Sequence, residues 1–148
     1  MRKRTFSREC VLKILYQKEV TARPLPAAAE KFWENFEEEL SPDIREFTDF
    51  LVAGIEANWE AIDEKISKYA TNWQLKRMAI IDRNVLRIGV FELHFAPNIP
   101  PKVTINEAVE LAKKYGDLDS SKFVNGILDK IHKTEIATDT TKKSSQAK

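Results

Sequence analysis

Residues 100–130 constrain the fold more than any other stretch of this chain. They read as loop, helix, short polar loop, helix. Thr104 is a good N-cap and Glu107 stands three residues on, so the pair is expected to close a capping box. Ile105, Ala108, Val109 and Ala112 then fall on one helical face. Tyr115-Gly116 ends this helix, with Gly116 expected in the left-handed conformation. Asp117, Asp119, Ser120 and Ser121 form the break, and Asp119 or Ser120 caps the next helix. Phe123, Val124, Ile127, Leu128 and Ile131 make its apolar stripe. A tight polar corner therefore separates two helices, with Tyr115 on one side and Lys122-Phe123 on the other.

The rest of the chain repeats the helical pattern. Only four glycines occur in 148 residues, too few for many tight β-turns. Val11, Leu12, Ile14 and Leu15 give a first helix an apolar face, with Ser7 as its expected cap. Arg23 to Pro26 reads as a turn, and a second helix is expected over 27–40, with Phe32, Trp33 and Phe36 inward and Glu30, Glu34, Glu37, Glu38 and Glu39 on the other face. Ser41-Pro42 is a helix start. Phe47, Phe50, Leu51, Ile55 and Trp59 follow at helical spacing, then Ile62, Ile66 and Tyr69, and a break near Ala57-Asn58 is left open. Gly54 and Gly89 point to close helix approach. Trp73 falls in a connection before a helix over 78–95, where Asp82, Arg83 and Arg87 are expected at or near the surface. Pro97, Pro100 and Pro101 stop that helix. The reading is all-α, a compact bundle of six or seven helices. Residues 1–135 make one domain and the polar residues 136–148 a disordered tail.

The charge pattern bears on function. Net charge is +1, so any nucleic-acid site must be a local patch. Arg2, Lys3, Arg4 and Arg8 precede the first acid, Glu9, and enclose Phe6. They are either a solvated terminus or a phosphate-binding arm, and the ring among the cations favours single-stranded nucleic acid. At the corner, Tyr115 and Phe123 flank a polar loop beside Lys113, Lys114 and Lys122, with Asp119, Ser120 and Ser121 able to read base edges. The acidic second helix would repel phosphate. Metal binding is not expected, because His94 and His132 are the only histidines and no Cys/His cluster has ligand spacing. Cys10 lies among apolar residues, so a buried free thiol is expected rather than a nucleophile or a disulfide. No Gly-rich phosphate loop, signal peptide or membrane-length apolar run occurs. The reading is a cytoplasmic, non-enzymatic protein without a cofactor.

Two blocks of this stretch carry a family resemblance. Val103-Thr104-Ile105-Asn106-Glu107-Ala108-Val109-Glu110-Leu111-Ala112-Lys113-Lys114-Tyr115-Gly116 and Ser121-Lys122-Phe123-Val124-Asn125-Gly126-Ile127-Leu128-Asp129 closely resemble the signature of the NusB family of bacterial transcription antitermination factors. The resemblance continues through Asp82-Arg83-Asn84-Val85-Leu86-Arg87, whereas residues 21–76 match only in pattern. It departs where Thr5, Phe6 and Ser7 interrupt the arginine run, and where Phe91-Glu92 stands behind Gly89-Val90. The resemblance implies two small helical subdomains and binding of single-stranded boxA RNA in nascent ribosomal RNA transcripts. It also implies a heterodimer with NusE, a small-subunit ribosomal protein, within the RNA polymerase antitermination complex. It carries RNA contact onto Arg2, Lys3, Arg4, Arg8, Tyr115, Asp119, Ser121, Lys122 and Phe123, and NusE contact onto Tyr16 and Asp82. Lys113 and Lys114 join the RNA set from their place beside the corner. Alternatives are a helical protein–protein adaptor, or an RNA-targeting domain like those fused to RNA methyltransferases. A homodimer is left open.

Overall fold

A helix whose residues are buried on every side sits at the middle of this protein. Asn84 to Leu93 are all buried, which only a helix packed on several neighbours allows. The structure, a computed structural model, describes residues 2–36 and 39–137. The elements are α1 (Lys3–Thr21), α2 (Leu25–Glu34), α3 (Pro42–Ala57), α4 (Trp59–Tyr69), α5 (Ile80–Phe95), α6 (Pro101–Tyr115) and α7 (Ser120–Ile131). A 3₁₀ turn (Leu75–Arg77) precedes α5, and a π-helical turn (His132–Ile136) follows α7. No strand occurs among the described residues. Helices α1, α2 and α3 pack on one another, as do α5, α6 and α7, and α5 also touches α1, α3 and α4. One continuous apolar core, from Val11 on α1 to Ile131 on α7, joins the two groups.

Prolines set several starts. Pro26, Pro42 and Pro101 lie in the first turns of α2, α3 and α6, where the missing N–H has no helical partner to lose. The second helix therefore starts at Leu25, within the expected turn, and ends at Glu34. Its expected residues Glu37 and Glu38 lie outside the described residues. Asn58 breaks α3 from α4, with its side-chain amide donating to the Gly54 carbonyl at 2.8 Å.

Several expected caps do not form. α1 starts at Lys3, and Ser7 lies inside it, buried, donating to the carbonyls of Lys3 (3.1 Å) and Ile44 (3.0 Å). α6 starts at Pro101, one turn before Thr104, whose hydroxyl turns instead to Glu92 at 2.8 Å. Gly116 is extended (φ −95°, ψ −167°), not left-handed. It is needed for space, since a Cβ there would lie 2.4 Å from the Ser120 hydroxyl and 2.8 Å from the Ala112 carbonyl oxygen. The residue that is left-handed is Ala22, which closes α1 at φ 57°.

Gly54 also serves close approach. A Cβ there would sit 2.2 Å from Cζ of Phe91, a buried ring held edge-on by Phe50 and stacked on Phe95. Gly54→Ala is therefore expected to destabilise by about 1–3 kcal/mol through overpacking, despite the better helix propensity of alanine. Urea unfolding checks this, and an unchanged or raised midpoint would contradict the packing argument.

The folded chain also runs past residue 135. Ile136 packs on the core, and Glu135 accepts hydrogen bonds from Lys65 (2.6 Å) and Tyr69. Those donors hold the Glu135 carboxyl below its ordinary pKa, against the opposing effect of burial. The remainder of the expected tail, 138–148, lies outside the described residues.

Candidate nucleic-acid interface

The basic arm is the first turn of α1. That turn holds no acid, and it places Lys3 and Arg4 at the positive end of the helix dipole. Cations there disfavour the helix unless an anion comes to them. Arg2, Lys3 and Arg4 are all exposed. Lys3 lies 3.2 Å from Asp43, with both side chains exposed, and Arg2 lies 3.7 Å from the nearly buried Glu107. The Arg4 guanidinium lies 4.5 Å over the Phe47 ring. Such interactions at exposed sites are worth little and are readily exchanged for phosphate.

Arg8 does not belong with them. Its side chain is only 3% exposed, and it holds both oxygens of Glu92, at 2.7 and 2.8 Å. Its third nitrogen lies 3.4 Å from Glu107. The Thr104 hydroxyl donates to Glu92, and the Thr5 hydroxyl donates to Glu107 at 2.6 Å. A buried arginine can hold this place only because a bidentate partner compensates its lost hydration. Arg8 thus fixes α1 to α5 and α6 and is buried, unlike the exposed arm. Phe6 is also turned away from the expected role, packing edge-on against Phe36 at 6.2 Å.

Glu9 joins the arm to the corner. It accepts from Lys114 through both oxygens at 3.1 Å and from the Tyr115 hydroxyl at 2.6 Å. Burial and this bond to Glu9 push the Tyr115 hydroxyl up to about 12. Glu9 therefore ties the second turn of α1 to the last turn of α6. Nothing in the sequence marked Glu9 for this beyond its being the first acid after the cations.

At the corner itself, Asp117 organises the loop. Its Oδ1 accepts from the Asp119 backbone N–H and the Ser120 hydroxyl, both at 3.2 Å. Asp119 is the N-cap residue of α7 by position, yet its side chain makes no capping bond and stays exposed. Ser120 is buried, Ser121 half-buried and Lys122 exposed. Lys113 lies 3.5 Å from Glu110, whereas Lys122 has no ion pair among the described residues. Phe123 is half-buried and meets the ring of Trp73 edge-on at 6.0 Å. Trp73 is more than half exposed, and sequence periodicity could not place it beside Phe123.

A second surface lies on α1 and α5. Tyr16 is exposed, and Val20, one turn on, is exposed beside it on the same helical face. Behind them Glu19 accepts from Arg83 (2.7 Å), Asn84 (3.0 Å) and Arg87 (3.2 Å). Arg87, expected near the surface, is buried. It also donates to both oxygens of Asp63 and lies 4.1 Å over the Trp59 ring. Asp82 is half-buried at the start of α5, with Oδ1 lacking a hydrogen-bond partner among the described residues. Burial raises its carboxyl pKa and the Asp117 charge adds to the rise, while the Ser120 hydroxyl opposes it. Asp82 therefore lies beside Asp117 and Ser120 of the corner.

Elsewhere Cys10 is buried and free, and burial pushes its thiol up to about 11. That leaves almost no thiolate at neutral pH. No helix among the described residues is long and apolar enough to cross a membrane.

Known proteins match this arrangement over nearly its whole length. The sequence model of the NusB family covers residues 5–133. The chain is 46% identical over 130 residues to the transcription antitermination protein NusB of Myxococcus xanthus, covering 86% of this chain and 93% of that one. Its fold is similar to that of T. maritima NusB, with a TM-score of 0.85, 37% identity, and 96% and 98% of the two chains covered. It is also similar to a chain in a crystal structure of antitermination factors NusB and NusE in complex with dsRNA, with a TM-score of 0.77, 30% identity, and 90% and 98% covered. This chain belongs to the NusB family.

Proposed function

We propose that this protein is a transcription antitermination factor that holds boxA-type RNA of nascent ribosomal transcripts, acting together with NusE. The observation that supports the reading is the Glu9 bridge, which ties the helix that carries the exposed cations to Lys114 and Tyr115 at the aromatic corner. Arg2, Lys3 and Arg4 hold phosphates, Lys122 adds a further cation, and Phe123 offers a ring to an unpaired base. Asp119 and Ser121 read base edges; a free carboxylate such as Asp119 can accept from an exocyclic amine. Tyr115, Lys114 and Arg8 position these groups, and Lys113 lies at the edge. The Tyr16–Val20 stripe and Asp82 form the face for NusE, an exposed apolar strip with a polar neighbour. The protein works without catalysis, in the cytoplasm with RNA polymerase. The helices act together as one domain.

Asp119→Asn tests the readout. Asn presents an amine where Asp presents only acceptors, so preference should change at one or two bases by roughly 1–3 kcal/mol, about five- to 150-fold in Kd. Its exposed side chain makes no capping bond, so stability should hold. Fluorescence anisotropy against boxA variants substituted base by base checks it. A uniform change across all variants, or none, would remove Asp119 from the site.

A further inference from the structure

The surface holds one aromatic that the RNA reading leaves unused. Trp73 is 56% exposed, although a ring of this size is normally mostly buried. It sits in the connection between α4 and the 3₁₀ turn, edge-on to Phe123. A hollow of about 260 Å³ lies on one side of it, lined among others by Asn72, Lys122, Phe123 and Lys130. A second, of about 760 Å³, lies on the other, lined by Ser67, Asn72, Gln74 and Lys76 among others. Neither hollow is lined by an acid. By contrast, the groove between the arm and α6 carries Glu9, Glu107 and Glu110. Lys76, Lys122 and Lys130 make no ion pair among the described residues. Charge complementarity is thus to an anion, and the surface continues that of the corner through Phe123.

We infer that Trp73 is a second stacking platform, which carries the single RNA strand past the corner and over residues 70–76. This rests on the RNA reading above and extends it. An exposed ring beside unpaired lysines takes any base by its face and the phosphates by charge, so the added segment is bound without sequence preference. The corner selects the element and Trp73 holds the strand that flanks it.

The test uses the full chain and two single-stranded RNAs, a boxA-like core and the same core flanked by uridines. Anisotropy should show the flanked RNA bound at least about fivefold more tightly, the lower end of one base stack. Trp73→Ala should abolish that gain while leaving core affinity within about twofold, and Trp73→Phe should keep most of it. Crosslinking of the unmutated protein to flanks carrying 4-thiouridine should label the 70–76 segment, which keeps the test independent of how the variants fold. Flanks that add no affinity, or that crosslink elsewhere, would overturn the inference and leave the boxA reading standing. If the core RNA itself fails to bind, both fall. Flanks indifferent to Trp73, together with NusE binding that needs it, would assign the ring to a protein partner instead.

Discussion

Glu92→Ala is expected to destabilise the protein by about 3–5 kcal/mol, the usual cost of stripping the partner from a buried charge. Arg8 would keep its charge at 3% exposure, with only Glu107 at 3.4 Å to balance it. Thr104 would lose its acceptor as well. Against a typical total stability of about 5–15 kcal/mol, the loss is severe. The double replacement Arg8→Met with Glu92→Met should cost much less than Glu92→Ala alone, because it removes both charges and keeps apolar volume. Urea midpoints for the two variants decide the matter. A single substitution costing under about 1 kcal/mol would mean that the pair is not the anchor of α1.

The second large effect falls on binding. Replacing Arg2, Lys3 and Arg4 together by alanine should lower the slope of log affinity against log salt by about 2, since each phosphate contact to a single strand contributes roughly 0.7. At about 0.1 M salt this amounts to roughly a hundredfold weaker binding, the same for boxA and scrambled RNA. Stability should move little, because the triple replacement removes the exposed Lys3–Asp43 pair, a cation over Phe47, and one arginine from Glu107, which keeps Arg8 and Thr5 as partners. Binding and folding thus separate at the arm, whereas Glu92→Ala loses both. Anisotropy across a salt series checks the slope; a slope equal to that of the unmutated protein would remove the arm from the site.

The contrast between Arg4 and Arg8 shows what could be read in the sequence and what could not. Both lie in one basic cluster, and a cluster reads as surface. Yet Arg8 stands three, four and seven residues before Val11, Leu12 and Leu15, squarely on the apolar stripe of α1. Glu92 likewise stands four and seven residues after Ile88 and Val85 on α5. Two opposite charges in core phase on two helices are the signal of a buried pair, but only tertiary packing says that these stripes face each other. Thr104 illustrates the same limit. Its spacing to Glu107 fits a capping box, but Pro101 starts the helix earlier and Glu92 takes the hydroxyl. The helices themselves and the exposed corner follow from local periodicity and turn chemistry, which the sequence carries directly, whereas it leaves the break at Asn58 open. The Glu9 bridge and the Trp73–Phe123 pair span 105 and 50 positions, and no local pattern encodes them.

On our proposal, one surface of this protein reads boxA and another engages NusE. The most direct measurement is the anisotropy of labelled boxA and scrambled single strands, with boxA duplex as competitor, each with and without NusE. The account predicts tighter binding of single-stranded boxA than of the scrambled strand or the duplex, and a further gain when NusE is added. Equal binding of all three RNAs, unchanged by NusE, would contradict it.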